Sequence, residues 1–276
     1  MKRAAGWHAI LRRGALCAVA LVWLFPYLWM GLTSLKPLTE IVSSPTALWP
    51  AQPTLAAYRE VFRSLPLARY FFNTSVMALG IAALQITLAL PAGYALAKLR
   101  FRGKRVAFAL IVATLLVPAQ VRFVPVFSLL AKVGLVNTLS GLILPFGVSA
   151  LGTFLIRQAL LSVPDAQIEA ARIDGAGELY IVYRLLAPLL RPTLISLFLF
   201  SFVSHWNDYF WPLVLTTDEH ARTLPLAIAL LREQGTGVRW HLVMAGNVLL
   251  SLPALAVFAA AQRHLLRAVT VRGFGG

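Results

Sequence analysis

The chain has 276 residues, 59% hydrophobic and 13% charged, with a mean hydropathy of +0.77 and a net charge of +15. A soluble domain is about half apolar, so this excess points away from a soluble protein and toward a polytopic membrane one. The single cysteine, Cys17, excludes a disulfide framework and a Cys-based zinc site, and the basic residues fall in short loops between apolar runs, a pattern of orientation and lipid headgroup contact rather than of a nucleic-acid face.

Runs free of Asp, Glu, Lys and Arg mark the predicted spans in chain order. The first, 14–35, follows a basic N-terminal stretch. It is too long for a signal-peptide core and has no small-x-small site close behind it, so it is read as a retained anchor. The segment from Lys36 to Arg69 is rich in proline (Pro37, Pro45, Pro50, Pro53, Pro66) and is expected to be an outer loop with one short helix near "TLAAYREVF". Further spans are predicted at 70–97, 106–131, 133–156, 189–215 and 240–262, against a requirement of about 20 apolar residues. The fold class is therefore all-α, a single membrane domain over 1–276 with six transmembrane helices. With the N-terminus in the cytoplasm, the cytoplasmic pieces hold 16 of the 25 Lys and Arg, led by "AKLRFRGKRV". The positive-inside rule then puts both termini inside.

Between the fourth and fifth spans lies "SVPDAQIEAARIDGAGELYIVYRLLAPLLRP", residues 162–192. Ser162 followed by Asp165 fits a helix start, with Pro164 tolerated in the first turn. Asp165, Glu169 and Arg172 recur at i, i+4, i+7 as a polar stripe, beside a small apolar stripe of Ala166, Ala170 and Ile173. Gly175 and Gly177 end the helix, since glycine permits a left-handed turn. A second helical piece, "ELYIVYRLLAPLL", leads into the next span. Small residues let another backbone approach, and Glu169 and Arg172 can make charge-assisted bonds to a partner. Spacing alone is equally consistent with a solvated amphipathic loop on the bilayer.

"EAARIDGAGELYIVYRLLAPLLRP" resembles the EAA loop of permease subunits of bacterial ATP-binding-cassette importers. The matching positions are Glu169-Ala170-Ala171, Gly175 and, nine residues on, an apolar run ending at Pro188; Ala187 stands where a larger apolar residue is usual. "FFNTSVMALG", "GYALAKLRFRGK" and "WNDYFWPLVLTTDE" are similar to segments of the MalG-like, carbohydrate-type branch, and Asp174 before the glycine fits that branch. The tail "VTVRGFGG" is similar to a short tail that such permeases extend toward the ATPase, although it lacks the commoner basic ending. The resemblance implies a permease of the bacterial inner membrane, whose residues 162–192 form a coupling helix for a cytoplasmic ATPase dimer. The coupling positions it implies are Glu169, Ala170, Ala171, Arg172, Asp174, Gly175 and Pro188. It also implies a second homologous permease, an extracytoplasmic solute-binding protein and a cargo of sugars, polyols or glycerol phosphate. ATP and Mg would be bound by the ATPase, because the chain has no GxxxxGK[ST] loop and binds no cofactor of its own.

Polar residues within the spans are candidates for the substrate path. Arg122 lies roughly 24 Å from the start of its run, where it either snorkels to headgroups or lines an outer vestibule. Gln85 is costly in lipid unless it faces a partner helix or a wet path. His205, Trp206, Asn207, Asp208 and Tyr209 read either as an interfacial aromatic belt or as a sugar site, with aromatic faces for the ring and polar groups for hydroxyls. No histidine has metal-ligand spacing, and no catalytic constellation stands out. Permeases for amino acids or peptides carry a related loop. An autonomous carrier usually shows buried ionisable residues near the midplane, whereas the acids here lie at span edges or in loops.

Overall fold

The computed structural model describes residues 2–118, 120–232 and 238–272, with side chains described between 12 and 262 of these. The regular elements among the described residues are all helical, in the order α1 (Lys2–Ser34), α2 (Leu38–Ser43), α3 (Ala56–Ser64), α4 (Leu67–Lys98), α5 (Lys104–Ala113), α6 (Phe123–Lys132), α7 (Leu139–Ile143) and α8 (Ala150–Leu161). Then come α9 (Asp165–Ile173), α10 (Glu178–Tyr180), a π-helical segment (Ile181–Leu186), α11 (Ala187–Leu189), α12 (Arg191–Trp206), α13 (Phe210–Leu215), α14 (Leu224–Leu230) and α15 (Trp240–Arg272). The all-α class expected from composition is borne out.

Among the described residues, three helical stretches are long and apolar enough to cross a membrane by themselves: Arg12–Ser34, Leu67–Lys98 and Trp240–Gln262. Two bent pairs also qualify, Leu139–Phe146 with Ala150–Leu161 at 43° and Glu178–Leu189 with Arg191–Trp206 at 87°. The apolar region predicted as one span over 106–131 is instead two ten-residue helices, α5 and α6, joined through a 3-10 turn at Thr114–Leu116. Pro118 has no N–H to continue the α-helical ladder, and Arg122 is exposed just before α6.

The chain folds as two compact units, Met1–Leu67 with Ala227–Leu252, and Ala68–Leu226 with Pro253–Gly276. In the first, Leu16, Val22 and Trp23 of α1 point outward, as suits a helix that is apolar all round and bathed in lipid. The 36–69 loop holds two helices rather than one. Pro37 opens α2, and the Glu40 carboxylate accepts from the Ala51 (2.9 Å) and Gln52 (3.4 Å) amides. Amphipathic α3 buries Ala57 and Val61 in a core with Leu231, Leu242 and Ala245.

The second unit is organised on α4. Met77 and Ile81 pack with Leu130, Leu142, Trp211 and Leu215. One end of the helix, around Ala89, Leu90 and Tyr94, packs with Ile156, Ile168, Ile181 and Leu186. Gly93 makes the approach to α8 possible: a Cβ there would stand 2.7 Å from the Ile156 side chain and 3.1 Å from the Arg157 amide nitrogen.

Candidate functional site

α9 does not begin with the serine cap that its sequence suggests. The Ser162 hydroxyl donates back to the Ala159 carbonyl (2.7 Å), and Pro164 holds the N-cap position without a side-chain bond. Asp165, in the first turn, instead pairs with Lys98 at 2.5 Å, and the same ammonium donates to the Val163 carbonyl (2.5 Å). The Lys98 hydrogen bond and charge hold the Asp165 carboxyl below its usual range.

The C-terminal end is closed by glycine. Gly175 has φ +80°, the left-handed region that a side chain disfavours. The Ala176 amide donates to Ala171 O (2.9 Å) and the Gly175 amide to Arg172 O (3.0 Å). This pair of bonds is the Schellman arrangement, which satisfies carbonyls left over at a helix end. Ala171 and Ala176 both lie against the core.

The faces of α9 are thereby assigned. Ile168 is buried and Ala171 half-buried, while Ala166, Glu169 and Ala170 point outward and Ile173 is 86% exposed. Leu179 and Tyr180 are exposed beyond the turn. Asp174 and Gly175, with Ala171, Gly177 and Tyr180, rim an open hollow. The Glu169 side chain forms no ion pair or hydrogen bond among the described residues. Arg172, by contrast, turns onto its own chain: its Nε donates to Glu178 Oε1 and its Nη2 to Tyr94 Oη, both at 2.9 Å, while Tyr94 Oη donates to Glu178 Oε2 at 2.5 Å. The Arg172 guanidinium lowers the Glu178 carboxyl pKa, and Glu178 in turn raises that of Arg172. Pro188 lies in α11, one residue before the last helical position ahead of the 87° bend into α12.

Tyr94, Lys98 and Glu178 were not among the site residues read from the sequence. The available signal was the i, i+4 spacing of Tyr94 and Lys98 at one end of a predicted span, which puts both on one helix face.

The substrate-path candidates have different surroundings. Gln85 is buried, and its Nε2 donates to the Phe146 carbonyl (2.9 Å). The Phe146 ring in turn lies 4.8 Å from Trp211 and 6.4 Å from His205. Trp206 is buried, stacked on Phe202 (5.4 Å) and edge-on to Phe71 (5.5 Å). Asn207 is exposed and donates to the Val203 carbonyl (2.8 Å). Asp208 is half-buried and accepts from the Trp211 amide (3.3 Å), and Tyr209 is exposed. Arg122 is exposed. Among the described residues, no group of three or more His, Cys, Asp and Glu could hold a metal ion. The C-terminal "VTVRGFGG" contact with an ATPase lies outside the described side chains.

A helical chain with several membrane-length apolar helices and an outward-facing helix–glycine turn–helix loop defines the class of integral membrane permeases. More particularly, the chain belongs to the family described as binding-protein-dependent transport system inner membrane component, which matches residues 85–271. It is 36% identical over 205 residues to the sn-glycerol-3-phosphate transport system permease protein UgpE of Yersinia enterocolitica serotype O:8, covering 74% of this chain and 73% of that one. It is 30% identical over 261 residues to the arabinooligosaccharides transport system permease protein AraQ of Bacillus subtilis (strain 168), covering 94% and 92%. A chain in the crystal structure of a bacterial ABC transporter involved in the import of the acidic polysaccharide alginate superposes with a TM-score of 0.80 at 25% identity, over 95% of this chain and 97% of that one. The resemblance read from "EAARIDGAGELY" and its neighbours is thus borne out. The chain is a permease subunit of an ATP-binding-cassette importer and not itself an enzyme.

Proposed function

We propose that this chain forms half of a translocation path for sugars or sugar-like solutes, including polyols and glycerol phosphate, in the bacterial inner membrane. It works with a second homologous permease, a cytoplasmic ATPase dimer that binds ATP and Mg, and an extracytoplasmic binding protein that delivers the solute. Its six spans are the approximate segments 14–35, 70–97, 106–131 (crossed as the broken pair α5 and α6), 133–156, 189–215 and 240–262, with both termini cytoplasmic. The cargo class rests on the printed names of the relatives, whose substrates are glycerol phosphate, arabinooligosaccharides and alginate. The substrate path runs past Gln85 and the segment from Trp206 to Tyr209, with Asn207 and Tyr209 offering exposed polar groups.

The observation that carries the coupling role is the outward face of α9, where Glu169 and Ala170 sit beside an isoleucine that is 86% exposed. Leu179 and Tyr180, 70% and 61% exposed beyond the turn, are further exposed apolar groups on the same loop, and a patch of such groups beside a charge is the kind of surface that supports docking. ATP-driven closure of the ATPase dimer carries α9 with it and tips the bundle from inward-open to outward-open. The binding protein then releases its solute, and hydrolysis resets the cycle. The nucleotide can drive this only through differential affinity: a shift from 1:99 to 99:1 takes about 10⁴-fold tighter binding to the favoured state.

Solute uptake and membrane abundance of Glu169→Lys and Gly175→Pro test the reading. Both variants are expected to insert normally and to lose uptake. Normal uptake in both counts against docking, as does failure of a crosslinker at exposed Ala170 to capture the ATPase.

A further inference from the structure

The two ends of α9 are held by two side chains of one helix. Tyr94 and Lys98 sit one turn apart on α4, so both project from the same face. Lys98 takes the beginning of α9, through Asp165 and the Val163 carbonyl. Tyr94 takes its end, donating to Glu178 and accepting from Arg172 across the glycine turn. The Tyr94 side chain is buried at 3% exposure and that of Lys98 at 9%, so neither is on the outward face that meets a partner. The end of α4 itself is pinned as well: Arg157 Nε donates to the Leu96 carbonyl (3.2 Å), and Lys104 Nζ to those of Ala97 (3.0 Å) and Leu99 (2.9 Å). A helix C-terminus whose orphan carbonyls accept from cations is stabilised against fraying. Charge-assisted bonds of this kind fix direction as well as distance.

We propose that Tyr94 and Lys98 are positioning residues that strap the coupling helix lengthwise to α4, so that α9 and the end of α4 move as one body when the ATPase moves. The proposal rests on the coupling role of α9 given above and adds which span receives the motion. The π-helical segment and the 87° bend separate α9 from α12 along the chain, whereas the Tyr94 and Lys98 bonds join α9 to α4 directly. α4 is therefore carried with α9 before α12 is, alongside α8, which leads directly into α9 and shares its core through Ile156 and Leu160.

The test uses the assembled importer, with spin labels at Gln167 on α9, which is not a coupling position, and at Leu88 on α4, both exposed. The interlabel distance is measured without nucleotide and with ATP plus vanadate. The expected result is one narrow distance, the same in both states. In a Tyr94→Phe/Lys98→Met variant it should broaden and shift between states. Lys98→Asp alone should broaden it, and adding Asp165→Lys should narrow it again, a rescue that a purely structural loss would not give. A wild-type distance that changes with nucleotide overturns the proposal, as does a double variant that keeps the wild-type distance. Loss of the ATPase from the variant complex also overturns it, because the strapped side chains lie off the docking face. Failure of the wild-type chain to co-purify with an ATPase would sink the coupling reading itself, which separates the two failures.

Discussion

The loop around α9 and the aromatic segment around Trp206 are held by different physics. The first adds, to the packing of Ile168 in the core, a set of directional, charge-assisted bonds among Tyr94, Lys98, Asp165, Arg172 and Glu178, with a glycine setting the turn. The second is fixed by stacked and edge-on rings, Phe71, Phe202, Trp206, Phe146 and Trp211, with the Asn207 and Asp208 side chains tied to nearby backbone. A part that carries a force and is remade at a water boundary benefits from directional bonds. A wall surrounded by lipid relies on packing, because a lipid tail is as apolar as the side chain it would replace.

If that division holds, Trp206→Ala is the most damaging change to the fold. Truncating a buried tryptophan leaves a cavity worth about 3 kcal/mol or more, and thermal unfolding of the detergent-solubilised chain should shift down accordingly. Gly175→Ala comes next. Forcing a Cβ to φ +80° costs roughly 1–2 kcal/mol, but the expected cost falls on uptake rather than on global unfolding, because the strain lies in the loop. Gln85→Leu removes one buried bond to Phe146 and should cost about 1 kcal/mol in unfolding. A larger loss of uptake than of stability in that variant would mark Gln85 as part of the path.

The smallest effect is the response of the α9 loop to pH. Asp165 and Glu178 have depressed folded pKa values, so their restraint is fully present above the unfolded carboxylate range near pH 4 and fades as pH falls through the lower folded values. A spin label at Ala170 should have the same mobility from about pH 6 to 8 and become more mobile below about pH 4.

Much of this architecture was legible in the sequence. The charge-free runs marked the apolar helices, and Gly175 and the Glu-Ala-Ala triplet marked the turn and the loop. The missing parts needed long-range information. Lys98 reads as an orientation signal until the fold brings it to Asp165, 67 residues away. Arg172 reads as a free charge until Tyr94, 78 residues away, and Glu178 claim it. Ser162 followed by Asp165 is a sound local capping pattern, overridden because the carboxylate gains more from the ammonium. The run 106–131 looked like one rod because hydropathy does not register the missing amide of Pro118.

The right-angle corner before α12 has a mechanical consequence. Because Glu178–Leu189 and Arg191–Trp206 meet at 87°, a push along the first limb has almost no component along the second. Travel of the loop's outgoing arm therefore reaches the root of α12 as a sideways swing, like a crank turning a shaft.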